Sequence, residues 1–151
     1  MSAEISVTWI HYVSFMTLFA ALVAEHLLTK KPMTALEIRR VTIIDAIYGC
    51  AAIVVLATGL MKVFRYGKGA EYYLKAWPFH AKFSIFIVVA LLSLYPTIVF
   101  LNMRRKSAEL TEGGRLTVPP GIKHAIRLEL IGILLIPLFA TLLARGAGQF
   151  E

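Results

Sequence analysis

The chain has 151 residues, 58% of them hydrophobic and 17% charged, which is too apolar for a soluble domain of this length and too segmented for a single apolar core. It reads as one all-α unit over residues 1–151, a polytopic membrane protein built as a four-transmembrane-helix bundle. The formal net charge is +7, but the basic residues flank apolar runs and do not line one helix face, so the expected partner is the lipid bilayer and not nucleic acid.

The first segment is expected over residues 6–28. The residues before it lack the basic start of a signal peptide, so the segment reads as retained. His11, Ser14, Leu18, Ala21 and Glu25 recur at the three-and-four spacing of one helical face, which should pack inward. At 1.5 Å per residue His11 and Glu25 are about 20 Å apart along the axis, so they belong to different sites.

A loop with Lys30, Lys31, Arg39 and Arg40 leads to a second segment expected over residues 42–63. Asp45, Gly49, Ala52, Leu56 and Gly59 share a face of mostly small residues, the kind that lets another membrane helix approach closely. Asp45 should therefore point into the bundle. Cys50 is the single cysteine, so an intrachain disulfide is excluded. The next loop holds Gly67, Lys68 and Gly69 without phosphate-loop spacing, and Tyr72, Tyr73 and Trp77 suit an interfacial aromatic belt.

The third segment, expected over residues 79–103, ends at Arg104, Arg105 and Lys106. It carries Lys82 inside an apolar run. An ammonium near the bilayer centre costs roughly 2.5 to 3.5 kcal/mol on insertion scales. At about 100° per residue Ser93 lies about 20° and Thr97 about 60° from Lys82, so the lysine heads the helix's polar stripe, which should face protein. His80 points about 200° away and is discounted. Two placements are open to Lys82: inside the bundle near His11, or snorkelled to the headgroups a turn away.

The loop after the third segment reads as a polar surface loop, with Pro119 or Pro120 beginning a fourth segment over residues 122–145. Glu129, Gly132, Ile136 and Ala140 form its inward stripe, whereas Arg127 points outward. Pro96 and Pro137 each remove a backbone hydrogen bond near mid-span, with kinks expected there.

Loops one and three hold ten basic residues with Arg127 included, against Lys62, Arg65, Lys68, Lys75 and Arg145 on the other side. Both termini are therefore expected outside the cytoplasm. Alternating spans then bring His11 and Lys82 together near the outer face, and Glu25, Asp45 and Glu129 together near the inner one. The outer pair can serve a haem, with His11 as the metal ligand and Lys82 as ligand, charge partner or catalytic residue. The inner carboxyls can form a proton or cation site. Their alternative is pairing with Arg39, Arg40 or Arg105. A di-iron site is not expected, because the Glu-x-x-His spacing of such bundles is missing.

The run Asp45, Tyr48, Gly49, Gly59, Gly67-Lys68-Gly69, Tyr72-Tyr73, Phe79, Lys82, Pro96-Thr97 and Ala144-Arg145-Gly146 resembles a family of four-helix bacterial inner-membrane proteins of unknown function. That implies a four-helix fold and a bacterial inner-membrane location, in which the side expected for both termini from the basic residues is the periplasm, and no activity. More distantly, Trp9-Ile10-His11 and His80-Ala81-Lys82 are similar to HemJ-type protoporphyrinogen oxidases and to CopD-like membrane proteins. In the HemJ family a first-helix histidine and a third-helix lysine are the functional pair with haem b. The carry-over falls on His11 and Lys82. Three function classes follow: a haem b redox protein, if an enzyme then a membrane oxidoreductase acting on a tetrapyrrole or quinol-like reductant; a small proton- or cation-coupled transporter or channel using Glu25, Asp45 and Glu129; and an accessory subunit with a membrane partner or a second copy of itself.

Overall fold

The computed structural model describes residues 2–111 and 113–148. Four helices of 24 to 32 residues are long and apolar enough to cross a membrane. They are α1 (Ala3–Leu28), α2 (Ala35–Met61), α4 (Trp77–Ser107) and α5 (Gly121–Ala144), with a short α3 (Ala70–Leu74) before α4. α1 packs on α2 and α5, and α4 packs on α5 and α2. The four spans therefore close into a ring, each antiparallel to its neighbours in sequence.

Helix starts follow local chemistry more than hydropathy. Ser2 caps α1 through its side chain. α2 begins seven residues before the expected Thr42, because Thr34 and Glu37 form a capping box: the Thr34 side chain accepts from Glu37 N–H, and Glu37 accepts from Thr34 N–H at 2.9 Å. This satisfies amides that a helix start leaves bare. Pro78 occupies the first turn of α4, where a missing N–H costs nothing. Both α4 and α5 run on through Pro96 and Pro137.

Two loops differ from expectation. The segment after α4 is not purely a polar surface loop: Arg115–Leu116 (β2) pairs antiparallel with Met33–Thr34 (β1), Met33 opposite Leu116. Met33 and Val118 are fully buried, so this ribbon plugs one end of the bundle and ties the α1–α2 and α4–α5 connections together. At the other end α2 continues into a π turn over Lys62–Tyr66, and Gly69, at φ 92°, supplies the left-handed backbone that starts α3.

Between ribbon and π turn the interior is filled by Leu18, Leu22, Ile38, Val41, Tyr48, Phe100, Ile126 and Ile133. Large apolar side chains such as Trp9, Met16, Ile53, Leu91 and Leu134 face outward and are more than half exposed. In water that would be a liability; in a bilayer lipid covers it, and helix association rests on close packing and interhelical hydrogen bonds. Met1 and Glu151, the termini whose side of the membrane was expected, lie outside the described residues.

Candidate functional site

The inward face of α2 includes Asp45, as expected, but is rotated from the stripe of small residues. Asp45 is buried, but its buried neighbours are Ile38, Val41, Tyr48, Val55 and Thr58. A Cβ placed on Gly49 would meet nothing within 4 Å. Gly59 does mark a close approach, because a Cβ there would come 3.4 Å from His11 Cε1. The true face is rotated toward Tyr48 and Thr58, which hydropathy alone did not single out.

Thr58 fixes the imidazole. Its hydroxyl has one proton and donates it to the Val54 carbonyl at 2.6 Å, while His11 Nδ1 lies 2.9 Å from the same oxygen. With the Thr58 proton so placed, His11 Nδ1 carries the hydrogen and donates. That leaves Nε2 with a free lone pair, the form in which an imidazole binds a metal or takes a proton.

His11 lines a cleft of about 340 Å³ at the π-turn end of the bundle. All four spans contribute: Tyr12 and Phe15 from α1, Val55 and Leu56 from α2, Phe83 and Phe86 from α4, and Ile136 and Ala140 from α5. Lys82 lines the same cleft, half-buried, with its ammonium 5.5 Å from the Phe79 ring centre. His80 is exposed, and its Nε2 donates to the Leu74 carbonyl at 2.8 Å.

Two further cations join Lys82. Lys62 sits 4.9 Å from the Tyr12 ring centre. Lys68 sits 4.5 Å from that of Tyr72 and donates to the Tyr72 hydroxyl, which donates to the Leu143 carbonyl at 3.0 Å. Among the described residues no carboxylate lines the cleft. Its chemistry is that of a receptor for an apolar or aromatic body with an anionic edge. Sequence reading missed Lys62, because the π turn that carries it round to the cleft has no spacing signature. Tyr72 and Tyr73, expected in an interfacial belt, also line the cleft.

The second set of residues is brought together at the ribbon end. Glu25 and Glu129 are each 1% exposed and Asp45 5%, and the three lie close enough to act on one another's charge. Asp45 Oδ1 accepts from the Thr97 hydroxyl at 2.8 Å, and the Tyr48 side chain lies beside Glu129 and Ser93. Both carboxyl oxygens of Glu25 and Oε1 of Glu129 are buried without a hydrogen-bond partner. Among the described residues the ion pairs are Lys30–Glu37 and Lys75–Glu71, so Arg39, Arg40 and Arg105 pair with none of the three.

Residues 3–148 match the family described as predicted membrane protein (DUF2214). No curated protein matches the chain, and no solved structure does. The likeness to HemJ-type and CopD-like proteins thus rests on the residues quoted for it.

Proposed function

We propose, for a chain that belongs to the DUF2214 family of membrane proteins, that the π-turn cleft binds haem b and that the protein is a membrane oxidoreductase. The observation that carries this reading is the imidazole of His11, held by Thr58 with its Nε2 lone pair free in a cleft that also presents Lys82 and Lys62. His11 would hold the haem iron through Nε2. Lys82 and Lys62 would meet the propionates, since neither ammonium has an anionic partner among the described residues. Phe15, Phe83 and Phe86, which line the cleft, would give the macrocycle apolar walls and exclude water.

A bound haem would supply one-electron chemistry with a tetrapyrrole or quinol-like reductant. The chain's own part is to fix the ligand nitrogen, supply positive charge at one edge of the cleft and keep the remainder dry. The location that goes with this reading is the bacterial inner membrane with both termini periplasmic, and the cleft opening toward the periplasm. A homo-oligomer or another membrane protein would be the electron partner's seat.

The test is an absorption spectrum of the detergent-purified protein expressed with haem precursor, oxidised and reduced. A Soret band in the wild type that His11→Ala loses is the expected result. A wild-type protein without that band disposes of the reading.

A further inference from the structure

We propose that the ribbon end of the bundle contains a site that takes up and releases protons on Glu25 and Glu129, separate from the cleft and not dependent on haem. Three helices each bring one carboxyl to this point: Glu25 from α1, Asp45 from α2 and Glu129 from α5. Tyr48 of α2 and Ser93 and Thr97 of α4 complete the polar surroundings.

The basic groups at this end of the bundle include His26, Lys123, Arg127, Arg39, Arg40 and Arg105, and among the described residues none forms an ion pair with the carboxyls. A buried carboxyl group without a counter-ion is accommodated by a proton or by a bound cation, because an isolated buried charge is too costly. Among the described residues no three acidic, histidine or cysteine side chains converge closely enough to hold a metal ion. The proton remains.

Hydrogen bonding separates the three acids. Asp45 Oδ1 receives the Thr97 proton at 2.8 Å, so Asp45 is the fixed acceptor. Glu25 has no partner on either oxygen, and Glu129 has none on Oε1, so a proton on either glutamate supplies the donor that this pocket lacks. Each glutamate can then take up and release a proton beside a constant acceptor, the role that intramembrane acids serve in proton pathways.

Infrared spectroscopy of the full chain in liposomes reads this directly through the carbonyl stretch of protonated carboxylic acids. The wild type is expected to show that band at neutral pH, shifting on transfer to D2O. Glu25→Gln and Glu129→Gln keep size and remove the titrating group, and each is expected to diminish the band. Circular dichroism of the same samples checks that both variants remain helical, and the wild-type spectrum stands as a test even if they do not. Absence of the band at neutral pH, a band that never exchanges, or a band unchanged in both variants overturns the proposal. So does a wild-type band abolished by adding sodium or potassium at constant pH, which would assign the site to a metal cation.

Discussion

The Thr97 hydroxyl on α4 donates to Asp45 Oδ1 on α2 across 2.8 Å, and farther along α2 His11 of α1 donates to Thr58 across 2.9 Å. Side-chain hydrogen bonds thus tie α2 to both of these neighbours, near either end of the bundle. Removing a donor leaves the acceptor bare in a medium with no water to replace it. Thr97→Val is expected to lower unfolding free energy by about 1 kcal/mol, within the membrane range of about 0.6 to 1.7. The same change in an Asp45→Ala background should cost less. Denaturant unfolding in micelles measures both, and equal costs in the two backgrounds would remove the bond from the energetics.

Gly132 sets how closely α5 lies on α4. A Cβ there would collide with Val89 Cγ2, and Val89 is itself buried. Gly132→Ala should therefore destabilise by about 1 to 3 kcal/mol, the usual range for overpacking. Val89→Ala introduced with it should recover most of the loss. If the double variant is less stable than the glycine variant alone, contact at this point does not control the packing.

The spans were legible because about twenty apolar residues in a row have few other uses. The helix ends were less so, since the Thr34–Glu37 capping box lies in a charged stretch that a hydropathy reading assigns to loop. The face of α2 was half legible. Starting from Asp45, a step of four follows the small residues to Gly49, and a step of three reaches Tyr48; both fit a helix, and packing chose the tyrosine. His11, Lys82 and the three carboxyls could be placed by helical phase and alternation of spans. Thr58 and Lys62 could not, because one acts through a proton whose direction depends on the Val54 carbonyl and the other through a π turn.

Topology offers a test independent of any ligand. The ribbon joins the two connections that hold Lys30, Lys31, Arg104, Arg105 and Lys106, so these charges lie at one end of the bundle and should be cytoplasmic. A reporter fused after α5 is expected to read periplasmic. A cytoplasmic readout would reverse the depth of both sites while leaving their internal geometry intact.

Lys82 decides what the cleft is for. An ammonium in a membrane segment raises the cost of insertion by roughly 2.5 to 3.5 kcal/mol near the bilayer centre, so Lys82→Met should leave insertion unchanged or improve it. If the ammonium serves a ligand's anionic edge, the same change should weaken haem retention about tenfold, which corresponds to about 1.4 kcal/mol. Lys82→Arg keeps the charge and should retain the wild-type affinity more closely. Lys75→Met is the control, since Lys75 pairs with Glu71 at the surface across 2.8 Å and does not line the cleft. Haem titration followed in the Soret region, with expression level in the membrane fraction as the second readout, separates the cases. Normal insertion with weakened binding in Lys82→Met alone places the ammonium at the ligand; equal binding in all four proteins would mean that Lys82 meets only water and headgroups.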